Sequence, residues 1–207
     1  KNIIDNKDDI DKLYPKEEFN RVSTRDVYGN NEIDYLIITA DSMKDSFEEL
    51  KKWSVLKGLK TQIVGVDEIY SNFYNVTDDN QKSLAIKDYL YRYYDNGLKS
   101  VLLAGDHDIV PTKLCYGRVD NTSMGDVIKN DLPTDLFYSC FDATFNWNAN
   151  GNNIYGELED NIDLSPDIFV SRIPIRNKSE VNAYINKLLN YEKYTIQMDD
   201  YASKILF

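Results

Sequence analysis

The chain has 207 residues, 42% of them hydrophobic, and its 24 Lys and Arg against 35 Asp and Glu give a formal net charge of -11. That length fits one large domain or two small ones, with enough apolar residues for a core. The acidic balance argues against a nucleic-acid backbone as partner and permits cation binding, and no apolar run reaches the roughly 18 residues that a membrane span needs.

Residues 1–33 are polar and lack periodic apolar positions, which reads as an arm or linker. The run YLIITA at 35–40 reads as a strand buried on both faces. Asp41 or Ser42 can cap the helix that follows, which carries Phe47, Leu50 and Trp53 on one face and ends at Lys57-Gly58. Residues 61–66 give a second β-rich run, 82–96 a second helix closed by Gly97, and 100–104 a third strand. This alternation is the sequence form of a mainly parallel sheet flanked by helices, so the predicted fold class is α/β. A long loop or hairpin insertion, 110–166, precedes the last full strand at 167–172, and within it LFYSCF at 136–141 reads as apolar and β-rich. Asn177 and Glu180 make a capping-box-like start to a helix with Val181, Tyr184, Ile185 and Leu188 on one face. The α/β unit is thus expected over 34–200, with 201–207 beginning a further strand.

The third strand runs into Gly-Asp-His-Asp, which places Asp106 and the chain's one histidine, His107, past a carboxyl end, where open α/β sheets form sites. A base and nucleophile could be assembled from His107 with Cys115 or Cys140 as a small thiol site. Neither cysteine has the surroundings of an activated thiolate: Cys140 lies in an apolar run, and Cys115 has no glycine-rich oxyanion loop beside it. No nucleophile elbow, phosphate loop or dinucleotide fingerprint occurs. In the insertion, Asn146, Asn148, Asn150, Gly151, Asn152 and Glu157 match the spacing of an EF-hand calcium loop, with oxygens at alternate positions, a turning glycine and a closing carboxylate. An Asn/Gly-rich hairpin turn that needs no metal accounts for the same residues. Glu159, Asp160, Asp163 and Asp167 precede the last strand and read from composition alone as a solvated acidic loop.

Three features in order carry a family resemblance. They are a helix ending in Trp53-x4-Gly58 before a strand, a strand ending in Gly105-Asp106-His107 and closed by Pro111, and an acidic loop before a strand ending in Arg172-Ile173-Pro174. In these the chain resembles the gingipain-type cysteine peptidases, family C25, over roughly 34–207. The resemblance implies a caspase-like architecture of two α/β subdomains, with the catalytic cysteine and histidine in the second. This chain would then be the first, non-catalytic subdomain of an extracellular cysteine endopeptidase, secreted or at the cell surface. Its implied partners are the carboxyl-terminal catalytic subdomain and protein or peptide substrates, with neither nucleic acid nor membrane. The resemblance further implies calcium on Asp106, Asp163, Ser165 through its carbonyl, and Asp167, although Ser171 stands where the family's glycine is usual. The alternative is a calcium-binding scaffold of the same fold that hydrolyses nothing.

Overall fold

A computed structural model describes residues 32–119 and 127–193. The expected arm at 1–33 falls almost wholly outside them, as does the strand start at 201–207.

Strands β1 (Tyr35–Thr39), β2 (Thr61–Gly65), β3 (Ser100–Ala104) and β6 (Phe169–Ile173) form one sheet in the order β2-β1-β3-β6, every pair parallel. Leu36, Ile37 and Ile38 of β1 are all fully buried, as expected for a central parallel strand covered on both faces. On one face Leu36, Ile38, Val64, Val101 and Leu103 pack against helix α3 (Asp79–Tyr94) and the insertion. On the other, Ile37, Leu102 and Ala104 meet a 3-10 helix (Asp41–Phe47), α1 (Glu48–Leu56) and α4 (Lys178–Lys193). Helix α2 (Val66–Tyr70) follows β2 directly.

Local chemistry explains most boundaries and corrects some expectations. Helix α3 starts at Asp79, before the expected Lys82, because Asp78 accepts the Gln81 backbone N–H as its cap. Gly58 and Gly97 take positive φ at the helix ends, as anticipated. Asp41 does not cap its own helix. Its carboxylate accepts the Asp67 N–H at 2.9 Å instead, over Gly65, where a Cβ would lie 2.0 Å from Asp41 Oδ1. The Asn177–Glu180 pair caps α4 as expected, but the buried stripe is Val181, Ile185 and Leu189, with Tyr184 on the solvent side.

The insertion opens with an antiparallel hairpin, β4 (Lys113–Val119) and β5 (Val127–Thr134), bulged between Cys115 and Gly117. Residues 136–141 are not β-structure. Leu136–Tyr138 is a 3-10 helix, and Phe137, Tyr138, Cys140 and Phe141 are driven into the core beside α3 as an aromatic wedge. The Tyr138 hydroxyl there donates to the carbonyl of Pro111. Burial of ring surface, rather than pairing of strands, is what their β-like composition serves.

Candidate functional site

The parallel sheet sorts the candidate residues between its two edges. At the carboxyl edge, the chain past β3 stays in register with the β6 side: Gly105 N–H donates to Ile173 O and Asp106 N–H to Ile175 O. The chain then turns so tightly that Ile109 and Val110 N–H both return to the Asp106 carbonyl. A Cβ on Gly105 would stand 2.8 Å from Ile109 Cγ2, which is why glycine begins the turn. Asp106 Oδ1 accepts the His107 backbone N–H at 2.7 Å and faces its Nδ1 at 3.1 Å, while Oδ2 accepts Arg176 Nε at 2.7 Å. The His107 backbone N–H, then its ring, then Arg176 hold the Asp106 carboxyl down at about 2.

Arg172, which sequence reasoning used only as part of a motif, organises this turn. Its Nε and Nη2 grip Asp135 in a bidentate pair at 2.7 Å, and its Nη1 donates to the carbonyls of Gly105 and Val110, each at 2.7 Å. The Gly-Asp-His turn and the Arg-Ile-Pro strand end are therefore one structural unit, joined by a guanidinium fork.

At the amino edge lies the acidic loop. Because β3 and β6 run parallel, Asp167 precedes the pairing that begins at Ser100 and Phe169, whereas Asp106 follows the one that ends at Ala104 and Ile173. At about 3.3 Å per residue that separates them by about 20 Å or more. Asp106 thus does not join Asp163, Ser165 and Asp167 in a single ligand set, because the two ends of parallel neighbours cannot meet. Asp163 accepts the Ser165 N–H at 2.7 Å, and Asp167 accepts the Phe141 N–H at 2.7 Å. The residue that sequence reasoning missed here is Asp142, which shares a hydrogen bond with Asp163. Its Oδ1 is buried without a hydrogen-bond partner among the described residues. Burial, then the charges of Asp167 and Asp163, push the Asp142 carboxyl up, while the Ser165 N–H foremost pulls that of Asp163 down. The pair is two carboxyl groups competing for one proton. Among the described residues, the group of three ligating side chains with atoms within 4.8 Å of one another is Asp106, His107 and Asp108, at the opposite edge and beside Arg176.

The asparagine loop is folded around a different carboxylate. Asp160, expected in a solvated acidic loop, is fully buried. Its Oδ1 accepts the Ala149 N–H at 2.8 Å, and its Oδ2 accepts those of Gly156 and Glu157 at 3.0 Å each. The side-chain oxygens of Asn146, Asn148, Asn150 and Asn152 accept backbone N–H groups of Asn148, Asn153, Asn152 and Ile154. Glu157 accepts the side-chain amides of Asn150 and Asn152 and completes a capping box with Asp160 over the 3-10 helix Leu158–Asp160. Asn146, Asn150 and Asn152 close Asx turns and Asn148 reaches five residues on, so the oxygens that match calcium spacing are used here within the loop. The Glu157-x-x-Asp160 capping box is the one sequence signal that could have singled out Asp160.

Neither thiol is poised for attack. Cys115 and Cys140 are free and buried, and burial pushes Cys115 up to about 11 and raises Cys140 as well. His107 is exposed and bonds to Asp106, not to sulfur.

A four-stranded parallel, helix-covered sheet whose Gly-Asp-His turn is clamped by Arg172, with no activated thiol in contact with its histidine among the described residues, defines the class as an open α/β unit. A family model, that of peptidase family C25, matches residues 28–207, and the chain belongs to that family. It is 22% identical over 205 residues to Lys-gingipain of Porphyromonas gingivalis, covering 93% of this chain and 10% of that protein. It is 22% identical over 174 residues to Gingipain R2 of the same organism, covering 83% and 18%. The crystal structure of the Arg-specific cysteine proteinase gingipain R superposes with a TM-score of 0.52 at 21% identity, over 78% of this chain and 29% of that one, a likeness of fold. The chain spans under a fifth of the curated relatives it matches here. No helix among the described residues is long and apolar enough to cross a membrane.

Proposed function

We propose that this chain is the first, structural subdomain of a secreted or cell-surface gingipain-like cysteine endopeptidase, whose Cys–His pair lies outside the chain. The observation that carries this reading is the state of its own thiols. Both are buried and raised, and the one histidine is committed to Asp106, so a member of a cysteine-peptidase family here offers no thiolate of its own. In the complete enzyme a cysteine supplied elsewhere would attack the scissile carbonyl, and this unit would brace that half and contact the protein substrate.

Calcium belongs to the same proposal. What supports it is the buried oxygen of Asp142, unpartnered among the described residues, beside Asp163 and Asp167, an all-oxygen donor set suited to a hard cation. Asp142, Asp163, Asp167 and the Ser165 carbonyl would hold the ion, and Asp106 is left out because Arg176 already balances it. The loop of Asn146, Asn148, Asn150, Asn152 and Glu157 would take a second ion only by giving up its Asx turns.

Assaying the isolated chain on a fluorescent casein with dithiothreitol tests the catalytic half of this reading. The expected result is no hydrolysis that iodoacetamide abolishes. Thiol-dependent turnover that disappears in Cys140→Ser or Cys115→Ser would overturn it.

A further inference from the structure

Two fully buried lysines fasten the insertion to the body, and among the described residues neither has a carboxylate in contact. Lys87 of α3 donates a hydrogen bond to the Phe145 carbonyl at 2.7 Å, and its amine lies 4.2 Å from the ring centre of Phe137, 4.7 Å from Phe145 and 5.5 Å from Trp147. Lys113 of β4 donates to Asn80 Oδ1 at 3.1 Å and sits 3.3 Å from the ring centre of Tyr155 and 5.1 Å from that of Phe137. Both side chains are wholly removed from solvent. Phe137, shared between them, brings the amines into one aromatic box that joins α3, β4 and the insertion.

An ammonium out of water needs an ion partner or several acceptors, and each of these has one acceptor and ring faces. The groups that face Lys87 from the packed elements are Cys140 of the insertion, Lys113 and Cys115 of β4, and Asp167 before β6. Those facing Lys113 are Cys115 and Asp78. Both thiols are raised by burial, and Asp167 and Asp78, which accept the Phe141 and Gln81 N–H groups, act on the lysines through space without a hydrogen bond to either amine among the described residues.

We propose that this aromatic box disfavours charge on both amines in the docked state, so that Lys87 and Lys113 act as a latch that grips the insertion more tightly as pH rises from neutral. Burial, the dominant cause for each, lowers Lys87 to about 7 and Lys113 to about 8. The docked state therefore binds fewer protons than an open one with ordinary lysines near 10.4. Its grip is strongest above the ordinary value, weakens as pH falls from there to about 7, and levels off below. This inference concerns the fold itself and stands or falls apart from the peptidase and calcium readings.

The test uses the 207-residue chain in a Trp53→Phe background, where Trp147, packed in the box, becomes the fluorescent reporter of urea unfolding. With Cys115→Ala and Cys140→Ala added, so that the raised thiols cannot pull stability the other way, the urea midpoint should rise between pH 7 and pH 9, below the tyrosine range, and Lys87→Met, which fills the box without a charge, should lose most of that rise, with Lys113→Met losing the remainder. A midpoint with no rise, or one that rises equally in both variants, overturns the latch. Should a variant fail to fold, NMR titration of the 13Cε signals in 13C-lysine-labelled wild-type chain decides. Two signals titrating well below the others support the latch, and all signals titrating together above about 10 contradict it.

Discussion

At the carboxyl edge of the sheet Asp106 meets Arg176, whereas at the amino edge Asp142, Asp163 and Asp167 meet one another. Both groups are aspartates in an acidic chain, yet one carries its counter-charge and the other competes for a proton. The difference lies in topology. Parallel strands deliver the Gly-Asp-His turn and the start of α4 to the same end, and the loop that enters β6 to the opposite end. Charge balance, more than the density of carboxylates, then indicates where an external cation has something to offer.

Substitutions can break or sharpen this contrast. The largest expected effect lies outside both edges and calibrates them. Asp160→Ala removes the buried acceptor of three close N–H groups and should cost about 3 to 4 kcal/mol in chemical denaturation, with loss of order in residues 146–160. Next, Arg172→Ala should cost about 2 to 3 kcal/mol by freeing Asp135 and the carbonyls of Gly105 and Val110. Arg172→Lys should recover only part of it, since a lysine cannot make the fork.

At the amino edge, millimolar-range calcium should raise the melting temperature, and EDTA should reverse the gain, by about 2.7 kcal/mol at a hundredfold excess over the dissociation constant. Asp142→Asn should abolish that gain, while Asp106→Ala should keep it; the opposite pattern would move the ion to the carboxyl edge. Without calcium, Asp142→Asn should itself raise the melting temperature at pH 7. The folded carboxyl lies above its ordinary value, so its ionised form opposes folding, and the gain should shrink as pH falls below the carboxylate range. The smallest effect belongs to Arg176→Ala, an exposed pair with Asp106. The Asp106 carboxyl is held low, so the pair's contribution is present above the ordinary carboxylate value and lost as pH falls from about 4 to about 2.

The central strands β1 and β3 were legible because each is a short apolar run covered on both faces, and the edge strands β2 and β6, TQIVG and FVSRI, by their β-branched and aromatic residues at the expected spacing. Helix ends marked by Gly58, Gly97 and Asn177 were legible for the same reason: each signal acts within a few residues. The aromatic wedge at 136–141 reads as β-rich from sequence, since its composition reports burial without saying against what. Arg172 and Asp160 escaped because their partners lie far along the chain, Asp135 being 37 residues from the one and Ala149 11 from the other. The calcium set implied by resemblance grouped residues from both edges, an error that only the direction of β6 exposes.

The claim on which the account rests is that chemistry comes from outside this chain. Its most direct test is hydrolysis by the complete protein carrying Cys115→Ser and Cys140→Ser together. Unchanged thiol-dependent turnover is the predicted result. Loss of turnover in a double variant whose melting curve matches the parent would contradict it and return the nucleophile to this chain.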